Sequence, residues 1–562
     1  MTSLVAGRRR LRPTHLRVST LAIALVAAGA FGWLLIVSPA SHWSQSGASP
    51  VSTVIPPAVG SHAHDGISAP LARLAAAHPD RRVEVIVSLT AGTTPAQGHA
   101  LVNSLGGRVG LDLHIIHGFS ARLSAGAARR LGQSPLVHAV SLNATLRQTD
   151  VNPVIAGEGT SLATTFDQTI GATRLWRHST GQGVGVAVID TGIAGDQPDF
   201  QTSPSDSTSR VIASAVIDPG ATSASDSYGH GTAVAGLIAG NGGDRNFSDP
   251  QYGRYKGAAP GANLISIKVA DEQGHATTLD AIYGLQFAVD HRAQYNIRVV
   301  NMSFRSTTAQ SYTSDPLDAA AEQAWFSGIT VVAAAGNMGS APDAVDYAPG
   351  NDPYVLTVGA TDEQGTANPT DDTTASWSSQ GTTQDGVAKP DVLAPGAHII
   401  TTLAPNSAFS QLCPTCVVDG AYFQVSGTSL AAPLVAGIAA DLLAAHPDWT
   451  PAMVKGAIVN TATPLPDGGS EVNGRAAYWA EDSQLRSDQN VTPSSLIDPT
   501  TGTIDYNTAS WSAAGFGPAT DPLTASWSTA SWSCESCSAP SGGSVDPTTA
   551  SWSTVGWTTM WG

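Results

Sequence analysis

Between residues 170 and 480, short apolar runs alternate with longer helical stretches, and this alternation restricts the possible folds more than any other feature of the chain. The runs at 183–189, 264–269, 298–302, 330–335 and 354–358 are nearly continuous Val, Ile and Ala. A strand with one wet face would alternate; a continuous run fits a strand covered on both sides. Helical stretches are expected to start near His230, Thr278, Leu317 and Ser429. Strands regularly interrupted by helices predict an α/β fold, a mostly parallel sheet with helices on both faces. We place this domain at 165–480.

A smaller unit precedes it at 81–149. Arg82 to Leu89 alternates with Val83, Val85 and Val87 on one face, and 94–105 can form a helix. Two strand-like runs surround His117-Gly118, a helix follows at 125–132, and 137–146 closes as a strand. That order is a split β-α-β arrangement, so a small α+β, ferredoxin-like domain is expected. Residues 41–80 are rich in Ser, Pro, Ala and Gly and read as a linker.

The N-terminus, 1–40, places Arg8, Arg9, Arg10, Arg12 and Arg17 before an uncharged apolar run, 18–37. Its length is near the roughly 20 residues that span a bilayer, and a basic flank before an apolar run is also a secretory signal. Signal peptide and membrane anchor both put the remaining chain outside the cytoplasm, because arginines stay inside. A buried core helix fits such charge asymmetry poorly. The net charge of −17 over 562 residues argues against nucleic acid as a partner.

The four cysteines form two C-x-x-C pairs, Cys413 with Cys416 and Cys534 with Cys537. A structural zinc or disulfides would each fit; export favours disulfides, with three connectivities open. The tail, 481–562, repeats Thr-Ala-Ser-Trp-Ser at 508–512, 524–528, 529–533 and 549–553, with one more copy at 374–378. The spacing is irregular, which excludes a solenoid. A flexible polar tail is the plain reading, although repeated Trp suggests a partner surface such as a membrane or cell surface.

Four short motifs carry chemistry. Residues 183–192 read Gly-Val-Gly-Val-Ala-Val-Ile-Asp-Thr-Gly, a buried strand running into Asp190 and a turn. Functional groups in open α/β sheets gather at such carboxyl ends. An aspartic peptidase would need a second Asp-Thr-Gly or Asp-Ser-Gly to share its proton, and none follows. Residues 226–236, Asp-Ser-Tyr-Gly-His-Gly-Thr-Ala-Val-Ala-Gly, put His230 between glycines at a helix start. Histidine is the usual general base near neutral pH. Residues 426–433, Ser-Gly-Thr-Ser-Leu-Ala-Ala-Pro, put Ser429 at the start of a long apolar helix, where N–H groups and the dipole favour an oxyanion. Pro433 cannot donate to the carbonyl of Ser429, so a distorted first turn is expected. Residues 331–337 deliver Asn337 at a strand end, where its amide can donate to the same oxyanion.

Together these motifs resemble the subtilase family of serine peptidases, in the chain order Asp, His, Ser. The resemblance covers 165–480 and implies a subtilisin-like fold and a serine endopeptidase. It implies that Ser429 attacks the scissile carbonyl, His230 takes its proton, Asp190 orients His230, and Asn337 completes the oxyanion hole. Ser303, Phe304, Ala333, Ala334, Ala335 and Gly336 resemble the family's substrate-cleft strands. The unit at 81–149 resembles its inhibitory propeptide, cut off somewhere between 147 and 169. The implied partners are polypeptide substrates and the chain's own propeptide. No cofactor is required for catalysis; the acidic residues would permit a structural calcium, with no recognisable ligand loop.

The chain departs from the family pattern at Ala233, where His is frequent, at Leu430, where Met is usual, and at Arg305, where Gly is usual. The expectation is a secreted or membrane-anchored extracellular endopeptidase. The competing class is a catalytically silent surface-binding protein on the same scaffold. An acyltransferase on the same triad would need an amine acceptor.

Overall fold

A computed structural model describes residues 66–148, 165–203, 205–244, 253–487 and 491–497, and the backbone of 531–533. The expectations for 1–40, for Cys534 and Cys537 and for the tail repeats beyond those three residues lie outside the described residues.

The small unit begins earlier than the sequence suggests. Helix α1 (Ala69–Ala77) lies within the expected linker and starts with a proline in its first turn, a position where the missing N–H is not needed. Its Leu71 is fully buried in the unit's own core with Val85, Val87, Phe119 and Leu123. The unit continues through β1 (Arg82–Leu89), α2 (Pro95–Ser104), β2 (Arg108–Leu113), β3 (Gly118–Ser124), α3 (Ala125–Gly132) and β4 (Val137–Leu142). Thr94 and Gln97 form a reciprocal capping box at the start of α2. The strands pair antiparallel in the order β2-β3-β1-β4. The expected last strand, 137–146, breaks after Leu142, and a separate strand β5 (Thr145–Gln148) leaves the unit.

The larger domain contains β6 (Gly185–Asp190), β7 (Val211–Val216), α4 (His230–Ala239) and β8 (Asn263–Lys268). Then come β9 (Ala276–Thr277), α5 (Thr278–Asp290), β10 (Ile297–Met302), β11 (Phe304–Ser306), α6 (Pro316–Phe326) and β12 (Thr330–Ala334). The series closes with β13 (Leu356–Asp362), β14 (Val392–Pro395), α7 (Thr428–Ala445) and α8 (Pro451–Asn460). The sheet runs β14-β13-β12-β10-β6-β8-β7, each neighbour parallel. Ser531–Ser533 pairs antiparallel with the edge strand β7.

Successive side chains of a strand point to opposite faces. Val186, Val188, Val332 and Ala334 therefore join one core with α4 and α7. Ala187, Ile189, Val331 and Ala333 join the other with α5 and α6. Each fully buried Val, Ile or Leu contributes roughly 1.5–3 kcal/mol, so covering both faces explains why the runs carry no polar alternation. Among the described residues one helix, Thr428–Ala445, is long and apolar enough to cross a membrane; it is the central core helix of this domain.

The small unit docks on the outer side of α5. Tyr283 donates its hydroxyl to the carbonyl of Asp112 at 3.0 Å, and the Ile115 N–H donates to Gln286 at 3.3 Å. Leu113, Ile115 and Ile116 enter the core that α5 and α6 share with the sheet. The far end of the domain also exceeds the expected limit of 480. Ile497 is buried in that core, and Glu322 of α6 accepts the Ser494 N–H.

Candidate active site

β6 ends at Asp190, and α4 begins at His230 beside it. The two side chains are buried, and His230 Nδ1 lies 2.7 Å from Asp190 Oδ1. Packing this close requires Gly231, since a Cβ there would sit 2.2 Å from the carbonyl oxygen of Gly192. The same oxygen of Asp190 accepts the Thr191 N–H at 2.8 Å. Asp226 supports the pair from below. Its Oδ1 accepts from the Gly229 N–H and the Thr191 hydroxyl, and its Oδ2 accepts from the N–H and hydroxyl of Thr232. It thus satisfies the exposed donors that open α4. Asp226 lay in the quoted motif without an assigned role; its signal is a carboxylate four residues before a histidine at a helix start.

Burial pulls the His230 imidazole down, but the charge of Asp190, the hydrogen bond to it and the charge of Asp226 outweigh that, and the result lies above the ordinary histidine value. With Nδ1 engaged, Nε2 is the nitrogen left for proton transfer, and it has no hydrogen-bond partner among the described residues. The ring of Phe409 stands edge-on to the imidazole at 6.1 Å between centroids. Cys413 and Cys416 form a disulfide in the loop that follows Phe409, and the Cys413 N–H donates to the Phe409 carbonyl.

Ser429 is the second residue of α7. The helix runs through Pro433. The carbonyl of Ser429, which Pro433 cannot serve, accepts instead from the Ser303 hydroxyl at 2.9 Å. Ser303 in turn accepts from Asn301 Nδ2 at 2.9 Å. Ser303 was expected in the cleft; it is fully buried against the backbone of Ser429.

β12 ends at Ala334, and Asn337 follows three residues on. Asn337 Oδ1 accepts both the N–H and the hydroxyl of Thr428, at 3.0 and 2.9 Å. This fixes the flip of the amide and makes Nδ2 its donor end. A Cβ at Gly427 would lie 3.0 Å from Ser429 Oγ and 3.3 Å from Asn337 Nδ2. A side chain at this position would therefore crowd both the Ser429 hydroxyl and the Asn337 amide.

Of the expected cleft residues, Ala333 and Ala334 are paired within the sheet, in register with Thr357 and Val358 of β13. They are sheet core, because strand interior and cleft share one small apolar signature in sequence. Ala335 and Gly336 continue past the strand end; the Gly336 N–H donates to the Thr428 hydroxyl at 3.1 Å. Phe304 opens β11, which pairs with β5. β5 pairs antiparallel with β11 on one side and β9 on the other, with Phe304 opposite Gln148 and Arg305 opposite Arg147. Leu146 of β5 is buried in the same core as Phe304. An extended segment joining two strand edges is β-augmentation, the general way a groove holds a peptide by its backbone. Among the described residues no group of three or more His, Cys, Asp or Glu side chains is placed to hold a metal ion.

A model of the subtilase family matches residues 181–478. The chain belongs to the subtilase family. The chain is 41% identical over 314 residues to serine protease AprX of Bacillus subtilis, covering 54% of this chain and 66% of that protein. It is 35% identical over 289 residues to subtilisin E of Bacillus subtilis, covering 51% of this chain and 62% of the relative. The match thus spans just under two thirds of each relative's length. The fold is also that of fervidolysin from Fervidobacterium pennivorans, with a TM-score of 0.54 and 24% identity, covering 71% of this chain and 61% of that one.

Proposed function

We propose that this protein is an exported serine endopeptidase and that the small unit ending with β5 is its inhibitory propeptide. The observation that carries the reading is the pairing of His230 with Asp190 at 2.7 Å, at the end of the sheet where α7 carries Ser429 and the turn after β12 carries Asn337. Ser429 Oγ attacks the substrate carbonyl as His230 Nε2 takes its proton. Asp190 stabilises the imidazolium. Asn337 Nδ2 and the Ser429 N–H receive the oxyanion. His230 returns the proton to the leaving amine, and water, activated by the same imidazole, hydrolyses the acyl ester.

The placement of β5 supports the propeptide reading. A segment held as a strand between β9 and β11 occupies the groove a substrate would use. The cut is expected just beyond Gln148. The N-terminal arginines and apolar run support export, as a cleaved signal or a retained anchor. Catalysis needs no cofactor in this scheme, so chelation with EDTA is expected to leave the initial rate unchanged.

The test is fluorophosphonate labelling with the adduct located by peptide mass. The expected adduct is on Ser429, and Ser429→Ala abolishes it. A folded chain that takes no label favours the silent binding scaffold.

A further inference from the structure

Phe409 reaches the imidazole of His230 from an excursion of the chain between two paired strands. Ile399–Thr402 and Tyr422–Val425 run antiparallel, and the second leads into Gly427 and Ser429. The segment between them turns back to the residues before α4. The Ala408 N–H donates to the Ser227 carbonyl at 2.9 Å, and the Phe409 N–H to the Tyr228 carbonyl at 3.1 Å. Gly229 permits this approach. Its φ is +108°, and a Cβ there would lie 2.8 Å from Ser407 Oγ and 3.1 Å from Phe409 Cβ.

The Phe409 side chain is buried, with the residue 2% exposed. Its ring stands at 82° to the His230 imidazole and packs on Tyr228 at 5.5 Å and on Phe423 at 5.2 Å. Edge-to-face pairs at such separations attract beyond the area they bury. One ring thus joins the start of α4 to the strand that leads to the nucleophile. Cys413 and Cys416 close the turn behind it. The Cys413 N–H donates to the Phe409 carbonyl at 3.2 Å and the Cys416 N–H to the Cys413 carbonyl at 3.0 Å, and the disulfide lies in the same core as Phe409 and Phe423.

The geometry points to Phe409 as a positioning residue for His230, with the Cys413–Cys416 disulfide as the clasp that keeps it in place. This goes beyond the triad and rests on the peptidase reading. A ring this buried does not reach the substrate; it walls one side of the imidazole, so that Nε2 stays directed at the proton it must take. Burial is the strongest influence on His230 and pulls its pKa down, while Asp190 and Asp226 are the charged groups that pull it up. Without the ring, burial eases and the bond at Nδ1 to Asp190 remains, so the imidazole is expected to hold its proton more tightly.

The experiment compares processed full-length enzyme with Phe409→Ala, Phe409→Leu and Cys413→Ala/Cys416→Ala, each confirmed folded by circular dichroism. In Phe409→Ala, kcat on a quenched peptide is expected to fall about tenfold with KM within about twofold. The acidic limb of kcat/KM moves up by about 0.5 pH. Phe409→Leu keeps most of the apolar wall and returns kcat to within about threefold of wild type. The enzyme without the disulfide shows the same fall and the same direction of the limb, to a lesser degree. Should Phe409→Ala not fold, the Leu and disulfide variants decide by an intermediate kcat and limb. Wild-type kcat in the variants, a loss carried by KM, a fall in kcat with the limb unmoved, or a disulfide-free enzyme that behaves as wild type overturns the proposal. Wild type that takes no fluorophosphonate on Ser429 is failure of the peptidase reading itself.

Discussion

The hydroxyl of Ser303 donates to the backbone carbonyl of Ser429 at 2.9 Å, across 126 residues of sequence. Pro433 denies that carbonyl its helical partner, and Ser303 replaces the missing donor. Removing the donor leaves a buried carbonyl unpaired, at a cost of about 1–3 kcal/mol. Ser303→Ala is expected to lower kcat about tenfold with little change in KM, because the nucleophile loses its seat while the groove is untouched. Steady-state kinetics on a quenched peptide checks this. An unchanged kcat would make the bond incidental.

His230 must be neutral to accept the proton of Ser429. Its raised pKa places the acidic limb of kcat/KM above the ordinary histidine value of about 6.5. Asp190→Asn removes the charge that raises it. The limb is then expected to move down while kcat falls about ten-thousandfold. A pH–rate profile of both enzymes decides; a limb that stays put in the variant would remove Asp190 from this role.

Glu363 is almost fully buried, and burial drives its carboxyl up to about 8 from 4.5. Hydrogen bonds from Thr165 oppose this, and the charges of Asp372 and Asp167 add to it. A raised folded pKa means stability is fully present below the unfolded value and is lost as pH rises through about 8. Wild type is therefore expected to melt at a lower temperature at pH 9 than at pH 6. Glu363→Gln should narrow the difference by several degrees, measured by calorimetry. A variant with the same pH dependence as wild type would rule out ionisation of Glu363 as a cause.

Gly231 sets the distance between the strand that carries Asp190 and the helix that carries His230. Gly231→Ala would force a Cβ to 2.2 Å from the Gly192 carbonyl oxygen, so α4 must move. Activity is expected to fall at least a hundredfold (about 2.7 kcal/mol), since a misplacement of about 1 Å at such a site suffices. Ala233→Gly, on the same helix, serves as the comparison for helix weakening alone. Equal losses in the two would show that the spacing does not matter.

The sheet was legible because its strands are buried on both faces. The runs at 183–189 and 330–335 correspond within a residue or two to β6 and β12. β7 escaped notice for the same reason in reverse. It is an edge strand, its alternate residues Ile212 and Ser214 are half-buried, and its Ala and Ser carry little strand signal. The residues of the site were legible because each sits where an element begins or ends: Asp190 at the end of β6, His230 at the start of α4, Ser429 near the start of α7. Ser303 was assigned to the cleft because sequence displays only its neighbours; its contact with Ser429 exists only after β10 and α7 pack. Helix α1 carried a usable signal, a proline in the first turn before an Ala-Leu run, hidden by the small-residue composition around it.

The central claim is that Ser429 cuts its own chain and so removes the upstream unit. The most direct measurement is the intact mass of the wild-type protein and of Ser429→Ala, both secreted and confirmed folded. The account predicts that wild type loses everything up to a point just beyond Gln148 while Ser429→Ala retains the upstream unit. Wild type that keeps the unit, or a Ser429→Ala chain trimmed at the same place in a host lacking other extracellular proteases, would contradict it.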